Sequence, residues 1–241
     1  MRIIDAVWEK RNLGIETKEI EFEETDDIAA AKDCLQEIHA EYIVVKVPTS
    51  RADITHLLYE HQYEYIEDMI LLINNLKTVK KLNAIGRLYD AVSIKKADEE
   101  DIEEIFTEIR KGMFSTDRIS LDKYFSKEIA AERYVNWSMD ELDRGAELHN
   151  FIYKGKNIGF VGFKEIGNGV YTSFLGGIYN EYRLGGIGTV TELRLQDSIK
   201  KLGGKQLYTM VSSNNIRQVK NLTYDGYYVS KIKHIFIKHK G

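Results

Sequence analysis

The sequence predicts an α/β protein, because segments with strand and helix patterns alternate along its 241 residues. The apolar run at 171–178 (YTSFLGGI) is typical of a strand, and the proline-free segment at 190–202 is typical of a helix. Two further strand-like segments, 149–153 and 158–165, precede that strand, and glycine-containing turns separate the three. The second half therefore carries an antiparallel meander, a glycine-rich loop and a helix.

Composition and charge narrow the class of protein. Hydrophobic residues make up 43% and charged residues 30%, with a formal net charge of −4, so we expect neither nucleic acid nor an anionic membrane as a partner. The single cysteine, Cys34, cannot form an internal disulfide and suits a reducing cytoplasm, where we expect the protein. The N-terminus is charged, unlike a secretory signal, and the six scattered histidines predict no metal site.

The first half of the chain predicts a short series of elements. Thr25 is a candidate N-cap for a helix that follows an acidic stretch. Residues 42–47 (YIVVKV) favour a strand, residues 50–61 a helix, and residues 65–73 another strand.

Residues 74–87 are basic and polar and are typical of a connector between two halves. After them, residues 91–96 favour a strand, and Asp98 is a candidate cap for the next helix. Residues 124–137 predict a further helix.

An internal comparison suggests a repeated unit. The segments that start at Tyr42 and Gln206 both run strand, polar loop, helix, break, aromatic residue and strand. Leu58 falls opposite Leu222 when the two are aligned. Either the chain holds two copies of one unit, or two strand–helix–strand segments merely align loosely.

The loop RLGGIGT, at 183–189, lies between a predicted strand and a predicted helix. Its glycines let the backbone approach a ligand closely, and the N–H groups of the first helical turn attract phosphate oxygens. A dinucleotide-binding loop would need a third glycine at Thr191, and a phosphate-loop NTPase would need a lysine after Gly188. Both alternatives are excluded.

The spacing of Arg183, Gly186 and Gly188 resembles the pyrophosphate loop of the GNAT acetyltransferases, and Asn215 and Gly226 match a second block of that family. The resemblance implies a GNAT fold: an α/β protein with a mixed, mostly antiparallel sheet and flanking helices. It further implies a partial, degenerate GNAT-like lobe at 1–87, with no cofactor of its own, before a complete acetyltransferase domain at 88–241.

The same resemblance implies acetyl-CoA as the cosubstrate, no metal, and transfer of an acetyl group to a primary amine. The residues that it assigns to the cofactor are Gly176, Gly177, Ile178, Arg183, Leu184, Gly185, Gly186, Ile187, Gly188, Thr189, Asn215 and Leu222.

Two candidate catalytic residues follow. The family places a tyrosine, which would protonate the leaving thiolate, where this chain has Leu222. Tyr224 is about 200° further round the helix, so it could replace that tyrosine only if the helix end unwinds. Glu165 is a candidate base for the amine; the alternative is a solvated carboxylate at a strand end.

The tract at 114–137 and the pair Trp8-Glu9 resemble sugar-nucleotide N-acetyltransferases of the dTDP-fucosamine type. This resemblance implies a small-molecule amine, such as a dTDP-linked amino sugar, as the acceptor. Two other functions remain open alternatives: a non-catalytic acyl-CoA-binding protein and an acetyltransferase of protein or peptide amines. A homodimeric assembly also remains open.

Overall fold

The computed structural model describes residues 1–77, 86–183 and 185–240. In chain order the elements are β1 (Arg2–Asp5), α1 (Val7–Leu13), β2 (Thr17–Glu21), α2 (Ile28–Glu37), β3 (Tyr42–Pro48), α3 (Ala52–Glu60), β4 (Glu64–Asn74), α4 (Gly86–Ala91), β5 (Val92–Lys96), α5 (Glu99–Arg110), α6 (Arg118–Leu121), α7 (Lys127–Asp143), β6 (Glu147–Tyr153), β7 (Lys156–Gly167), β8 (Val170–Ile178), α8 (Ile187–Lys201), β9 (Gln206–Ser212), α9 (Ile216–Tyr224) and β10 (Tyr228–His239).

The ten strands of the described residues form one sheet in the order β1-β2-β3-β10-β4-β9-β8-β7-β6-β5. The pairs β2/β3 and β8/β9 are parallel, and the other adjacent pairs are antiparallel. The predicted meander is confirmed as β6, β7 and β8. The last strand of the second half, β10, lies between β3 and β4 of the first half. The last strand of the first half, β4, lies between β10 and β9 of the second half.

The predicted repeat is present with a constant offset of 164 residues. Strand β3 corresponds to β9, α3 to α9 and β4 to β10, each starting 164 residues apart. The strand pairing repeats as well, since Met69 pairs with Ser212 and Lys233 pairs with Pro48. Met69 also pairs with Lys233, its own equivalent, which places a local twofold relation between β4 and β10.

The sheet has two covered faces. On β3, Tyr42 and Val44 pack with Leu13, Ile119 and Ala130, whereas Ile43, Val45 and Val47 pack with helices α2 and α3. Alternate residues of a strand point to opposite faces, so α1, α6 and α7 share one face, together with α5. We call this the α7 face. Helices α2, α3, α8 and α9 cover the other, the α8 face.

Several predicted boundaries need correction. Helix α2 begins at Ile28, not near Thr25, because the carboxylate of Asp27 accepts hydrogen bonds from the N–H groups of Ala29 and Ala30. The helix predicted at 124–137 begins at Lys127 after the cap Ser126 and extends to Asp143. Within the predicted connector, residues 78–85 lie outside the described ranges, and the expected boundary at 87/88 falls inside α4.

A buried ion network joins the two halves on the α7 face. Glu9 of α1 is 0% exposed, and its carboxylate receives hydrogen bonds from Arg118 of α6 and Arg133 of α7. Burial alone would raise the pKa of Glu9, but the two guanidinium groups lower it to about 2. Glu9 is therefore a charged anchor for both arginines.

Candidate cofactor site

Strands β8 and β9 separate partway along their length. Their parallel pairing ends at Ser173 and Thr209, although β8 continues to Ile178 and β9 to Ser212. A bulge in β8 lies at the point of separation, because Phe174 is an extra residue between the pairs Phe163–Ser173 and Gly162–Leu175. A bulge increases strand twist, so it accounts for the gap that opens between the two strands.

The backbone groups on the edge of β8 that lines the gap are not paired with β9. Its residues 175–178 pair only with β7. Glycines let the two strands approach closely here: a β-carbon on Gly176 would lie 2.9 Å from the carbonyl oxygen of Phe160. The backbone N–H of Tyr179 donates to Ile158 of β7, so the groups of Ile178 and Gly176 point into the gap by strand alternation.

Helix α8 begins at the mouth of this gap without a side-chain cap. Its N-cap residue, Gly186, has a φ of 81° and makes no capping hydrogen bond through a side chain. The N–H groups of Ile187, Gly188 and Thr189 form the first turn, whose partial positive charge attracts anions. Gly185 and Arg183 are exposed beside it, and Leu184 lies outside the described residues.

Arg183 lies between the loop and the strand edge. Its Nε donates a hydrogen bond to the carbonyl oxygen of Ile178 at 3.2 Å. Within the described ranges its guanidinium has no acidic partner. It is therefore an exposed cation beside the uncapped helix.

Helix α9 packs closely against the start of α8. A β-carbon on Gly188 would lie 2.9 Å from the side-chain nitrogen of Asn221, so any larger residue there would force the Asn221 side chain to move. Asn215, the N-cap of α9, accepts a hydrogen bond from the N–H of Gln218 at 3.1 Å. The capping role expected for Asn215 is present, at the turn that follows β9.

Neither Leu222, at the position of the family's tyrosine, nor the candidate Tyr224 offers a hydroxyl to the gap. Leu222 is 2% exposed and packs in the core with Leu72, Val190 and Val211. Tyr224 is 63% exposed. Helix α9 stays regular to its end, since the N–H of Asp225 donates to Asn221, so the helix does not unwind to bring Tyr224 to the position of Leu222.

Glu165 is not close to the loop. It pairs with Tyr171, whereas the gap is lined by residues up to Ile178, seven positions further along β8 and roughly 20 Å away. Its carboxylate accepts a hydrogen bond from the N–H of Gly169 at 2.9 Å, which stabilises the β7–β8 turn.

The sequence patterns did not indicate a buried acidic cluster behind the loop. The hydroxyl of Tyr227 donates to the carboxylate of Glu192 at 2.6 Å, and Asp225 lies next to both. Burial and the repulsion from Glu192 raise the pKa of Asp225 to about 8, with a hydrogen bond from Thr189 opposing them. This cluster contacts the first turn of α8 through the hydrogen bond between Thr189 and Asp225.

The corresponding region of the N-terminal half is closed. Strands β2 and β3 stay paired to Glu21 and Lys46, so no gap opens. Arg51 stands where the second copy has Asn215, and its guanidinium donates to the carbonyl oxygens of Glu23, Glu24 and Asp26. The loop before α2 therefore presents carbonyl oxygens to a cation, and Asp27 already caps the helix.

On the α7 face, the 113–118 segment crosses the gap. A β-carbon on Gly177 would lie 2.6 Å from Cε of Met113, and the hydroxyl of Ser212 donates to the carbonyl oxygen of Thr116 at 2.7 Å. The segment thus contacts β8 and then the end of β9. An acceptor that reaches the gap from this face must pass beside it.

Neither a metal cluster nor a membrane span is found in the described part of the chain. No group of three or more His, Cys, Asp or Glu side chains there is arranged to hold a metal ion. None of the helices in those ranges has the length and apolar character needed to cross a bilayer.

Comparisons with known proteins identify similar folds. No sequence-family model matches the chain, and no curated protein matches it in sequence. A GCN5-related N-acetyltransferase from Sphaerobacter thermophilus is similar at 12% identity and a TM-score of 0.58, over 82% of this chain and 59% of that protein. The chain thus spans less than two thirds of that protein's length.

This chain covers a larger share of two other structures. A GCN5-related N-acetyltransferase from Kribbella flavida is 13% identical, with a TM-score of 0.59 over 94% of this chain and 82% of that one. A tandem GNAT protein from the clavulanic acid biosynthesis pathway is 12% identical, with a TM-score of 0.53 over 88% and 68%. The chain has the GNAT fold, a mixed sheet with flanking helices, preceded by a truncated GNAT-like N-terminal lobe.

Proposed function

We propose that the protein is an N-acetyltransferase that transfers the acetyl group of acetyl-CoA to a primary amine. The observation that carries this proposal is the uncapped start of α8 at the mouth of the β8–β9 gap. An uncapped helix start favours a pyrophosphate, and the unpaired edge of β8 suits an extended chain with amide groups. Acetyl-CoA has both parts, joined in that order.

In this proposal the amides of the pantetheine arm pair with the backbone of Gly176 and Ile178. The pyrophosphate binds the N–H groups of residues 184–189, with Arg183 beside it and Asn215 near the arm. Gly177 and Leu222, also expected near the cofactor, contribute close packing. A neutral amine attacks the thioester carbonyl, and a backbone N–H near Ile178 stabilises the oxyanion.

Positioning supplies most of the acceleration in this mechanism, since effective molarities can contribute roughly 7–11 kcal/mol. The thiolate of CoA can leave without an acid, because a thiol has a pKa of about 8.5. A buried leucine at position 222 is therefore compatible with turnover.

We further propose that the chain binds one acetyl-CoA, within residues 88–241, and that residues 1–87 form the degenerate lobe. The support is the closed β2–β3 pairing and the cation Arg51 in the equivalent loop. From the resemblance in sequence we propose a nucleotide-linked amino sugar as the acceptor, and from the single cysteine we propose the cytoplasm as the location.

Calorimetry with acetyl-CoA tests the cofactor site. Gly186→Val should abolish binding, because the residue has a φ of 81° beside the first-turn N–H groups and a β-branched side chain would crowd a phosphate. Gly145→Val is the matched control: Gly145 has a φ of 85° in an exposed turn with open space around it, so it brings the same backbone strain away from the site.

The expected result is one site per chain, lost in Gly186→Val and kept in Gly145→Val. Two sites per chain, or unchanged binding in Gly186→Val, would contradict the proposal. A thermal-shift screen with acetyl-CoA and nucleotide-linked amino sugars then addresses the acceptor.

A second candidate is a protein that binds acyl-CoA without turnover. The burial of Leu222 favours it, since no hydroxyl is available at that position. Assays with amino-sugar nucleotides and with lysine-containing peptides separate the alternatives: tight cofactor binding with no acetylation of any of them supports the non-catalytic function, and preference for peptides supports a protein acetyltransferase.

A further inference from the structure

A buried carboxyl group lies at the gap on the α7 face. Glu67 of β4 is 1% exposed, and its Oε1 accepts a hydrogen bond from the backbone N–H of Arg118 at 3.0 Å. Arg118 ends the 113–118 segment that crosses the gap. Thr116, two residues earlier and at most about 7 Å away along the chain, accepts a hydrogen bond from the Ser212 hydroxyl, so Glu67 and the end of β9 contact the same short segment.

The strand register places Glu67 opposite the free edge of β8. Counting three positions from the pair Ser173–Thr209, and leaving out the bulged Phe174, puts Gly177 level with Ser212, which pairs with Met69 of β4. Glu67 precedes Met69 by two residues, so both side chains point to the α7 face. Glu67 is thus two positions beyond Ser212, where β9 has ended, so β4 is the next strand across the gap from the end of β8.

One oxygen of this carboxyl group is unused. Oε2 of Glu67 is buried and has no hydrogen-bond partner within the described residues. The charged and titratable groups around it are Arg118, Asp117 and Tyr134. Burial raises the pKa of Glu67, while the Ser212 hydroxyl and Arg118 oppose that rise. A raised pKa makes a carboxylate a stronger base.

We propose that Glu67 is the general base of the acyl transfer, and that the degenerate N-terminal half supplies it through the exchanged strand β4. The inference rests on the proposed function and adds a catalytic residue to it. The free Oε2 would accept a charge-assisted hydrogen bond from an incoming ammonium group. A passage beside the 113–118 segment would bring that group in.

The proton balance of the step is simple. The ammonium group gives one proton to the carboxylate of Glu67 and becomes a neutral amine. Its nitrogen forms a bond to the thioester carbonyl carbon, and the C–S bond breaks as the tetrahedral intermediate collapses. The second nitrogen proton passes to the departing thiolate, so the products are the amide and CoA thiol, and Glu67 returns its proton to water.

Glu67→Gln in the full chain tests the assignment, because glutamine keeps an acceptor for the Arg118 N–H but cannot take a proton. We expect kcat/KM for amine acetylation to fall at least 100-fold and the acidic limb of its pH profile to disappear. The dissociation constant of acetyl-CoA should change less than twofold. Glu67→Asp should recover part of the rate, and Glu64→Gln, an exposed position on the same strand, is the control.

The acceptor probes are glucosamine, butane-1,4-diamine and a lysine-containing peptide. An unchanged rate and pH profile in Glu67→Gln would overturn the assignment, as would loss of activity in Glu165→Gln alone. If none of the probes is acetylated, calorimetry of butane-1,4-diamine with the protein–CoA complex decides. At least tenfold weaker binding to Glu67→Gln supports the assignment, and equal binding, or none to the natural chain, overturns it. Failure of acetyl-CoA to bind would instead contradict the proposed function itself.

Discussion

Arg183 and Ile178 are joined by a hydrogen bond of 3.2 Å from the guanidinium Nε to the backbone carbonyl oxygen. That carbonyl points into the gap, where we propose that the pantetheine arm binds. An arm amide that donates to Ile178 would compete with Arg183 for this oxygen. The guanidinium would then be released towards the pyrophosphate, so cofactor binding would exchange one partner of Arg183 for another.

We predict that Arg183→Ala weakens acetyl-CoA binding about tenfold, or about 1.4 kcal/mol. The reason is the loss of a cation beside the pyrophosphate, so the difference from the natural chain should shrink at high salt. Calorimetry at two salt concentrations measures the loss of affinity and its dependence on salt. Lys201→Ala, at the far exposed end of α8, should bind as the natural chain does. A salt-independent loss would contradict a charge-based role.

Leu222→Tyr should destabilise the fold by about 1–3 kcal/mol and should not create an acid. Leu222 is buried among core residues of β4, β9 and α8, so the larger phenol would overpack this part of the core. Urea unfolding measures the loss. Tyr224→Phe is the companion test: Tyr224 is exposed on a regular helix, so turnover should be unchanged. A hundredfold lower rate, about 2.7 kcal/mol, would assign Tyr224 a role in proton transfer.

The buried Asp225 predicts a pH dependence of stability. In the folded protein the pKa of Asp225 is raised to about 8, whereas an aspartate in the unfolded chain has a pKa of about 3.9 and loses its proton first as pH rises. The free energy of unfolding should therefore fall as pH rises between these values. Asp225→Asn should remove much of that fall, as urea unfolding at pH 5 and pH 8 would show.

Asp143→Asn, an exposed change near the end of α7, is the control for this prediction and should keep the natural pH dependence. If the natural chain and Asp225→Asn lose the same stability between pH 5 and pH 8, Asp225 does not hold its proton in the folded state.

Glu9→Gln should cost about 3–5 kcal/mol, because it leaves Arg133 without its buried counter-charge and Arg118 with Glu19 alone. In the natural chain the lowered pKa of Glu9 means that its contribution is present above pH 4.5 and is lost as pH falls towards 2. Acid unfolding of the variant should show a shallower dependence in that range. Glu16→Gln, at an exposed position, should have little effect on either quantity.

The candidate cofactor loop could be predicted because its signal is local. Glycines at fixed spacing between a strand and a helix are visible in RLGGIGT, and Asn215 precedes a helix as a cap. The repeat was equally visible, since the corresponding strands and helices begin at one constant offset along the chain. These features depend only on residues that are close together in the sequence.

Glu67 could not be predicted in this way. In the sequence it is one acidic residue within an apolar strand, and its place at the gap depends on β4 pairing with β9, more than 130 residues away. Strand β2 was missed for a related reason: its charged residues read as an acidic stretch. Lys46 of β3 pairs with the carboxylates of Glu19 and Glu21, which lets this strand join the sheet.

The position of β10 has a consequence for how the chain is made. Strands β3 and β4 do not pair with each other, and the space between them belongs to residues 228–239. Until residues 228–239 have been synthesised, β3 and β4 therefore have unpaired backbone N–H and C=O groups on their facing edges. These edges could pair with strands of other chains. The early half becomes complete only after its distant partner strand has been synthesised, so protection of the nascent chain matters until then.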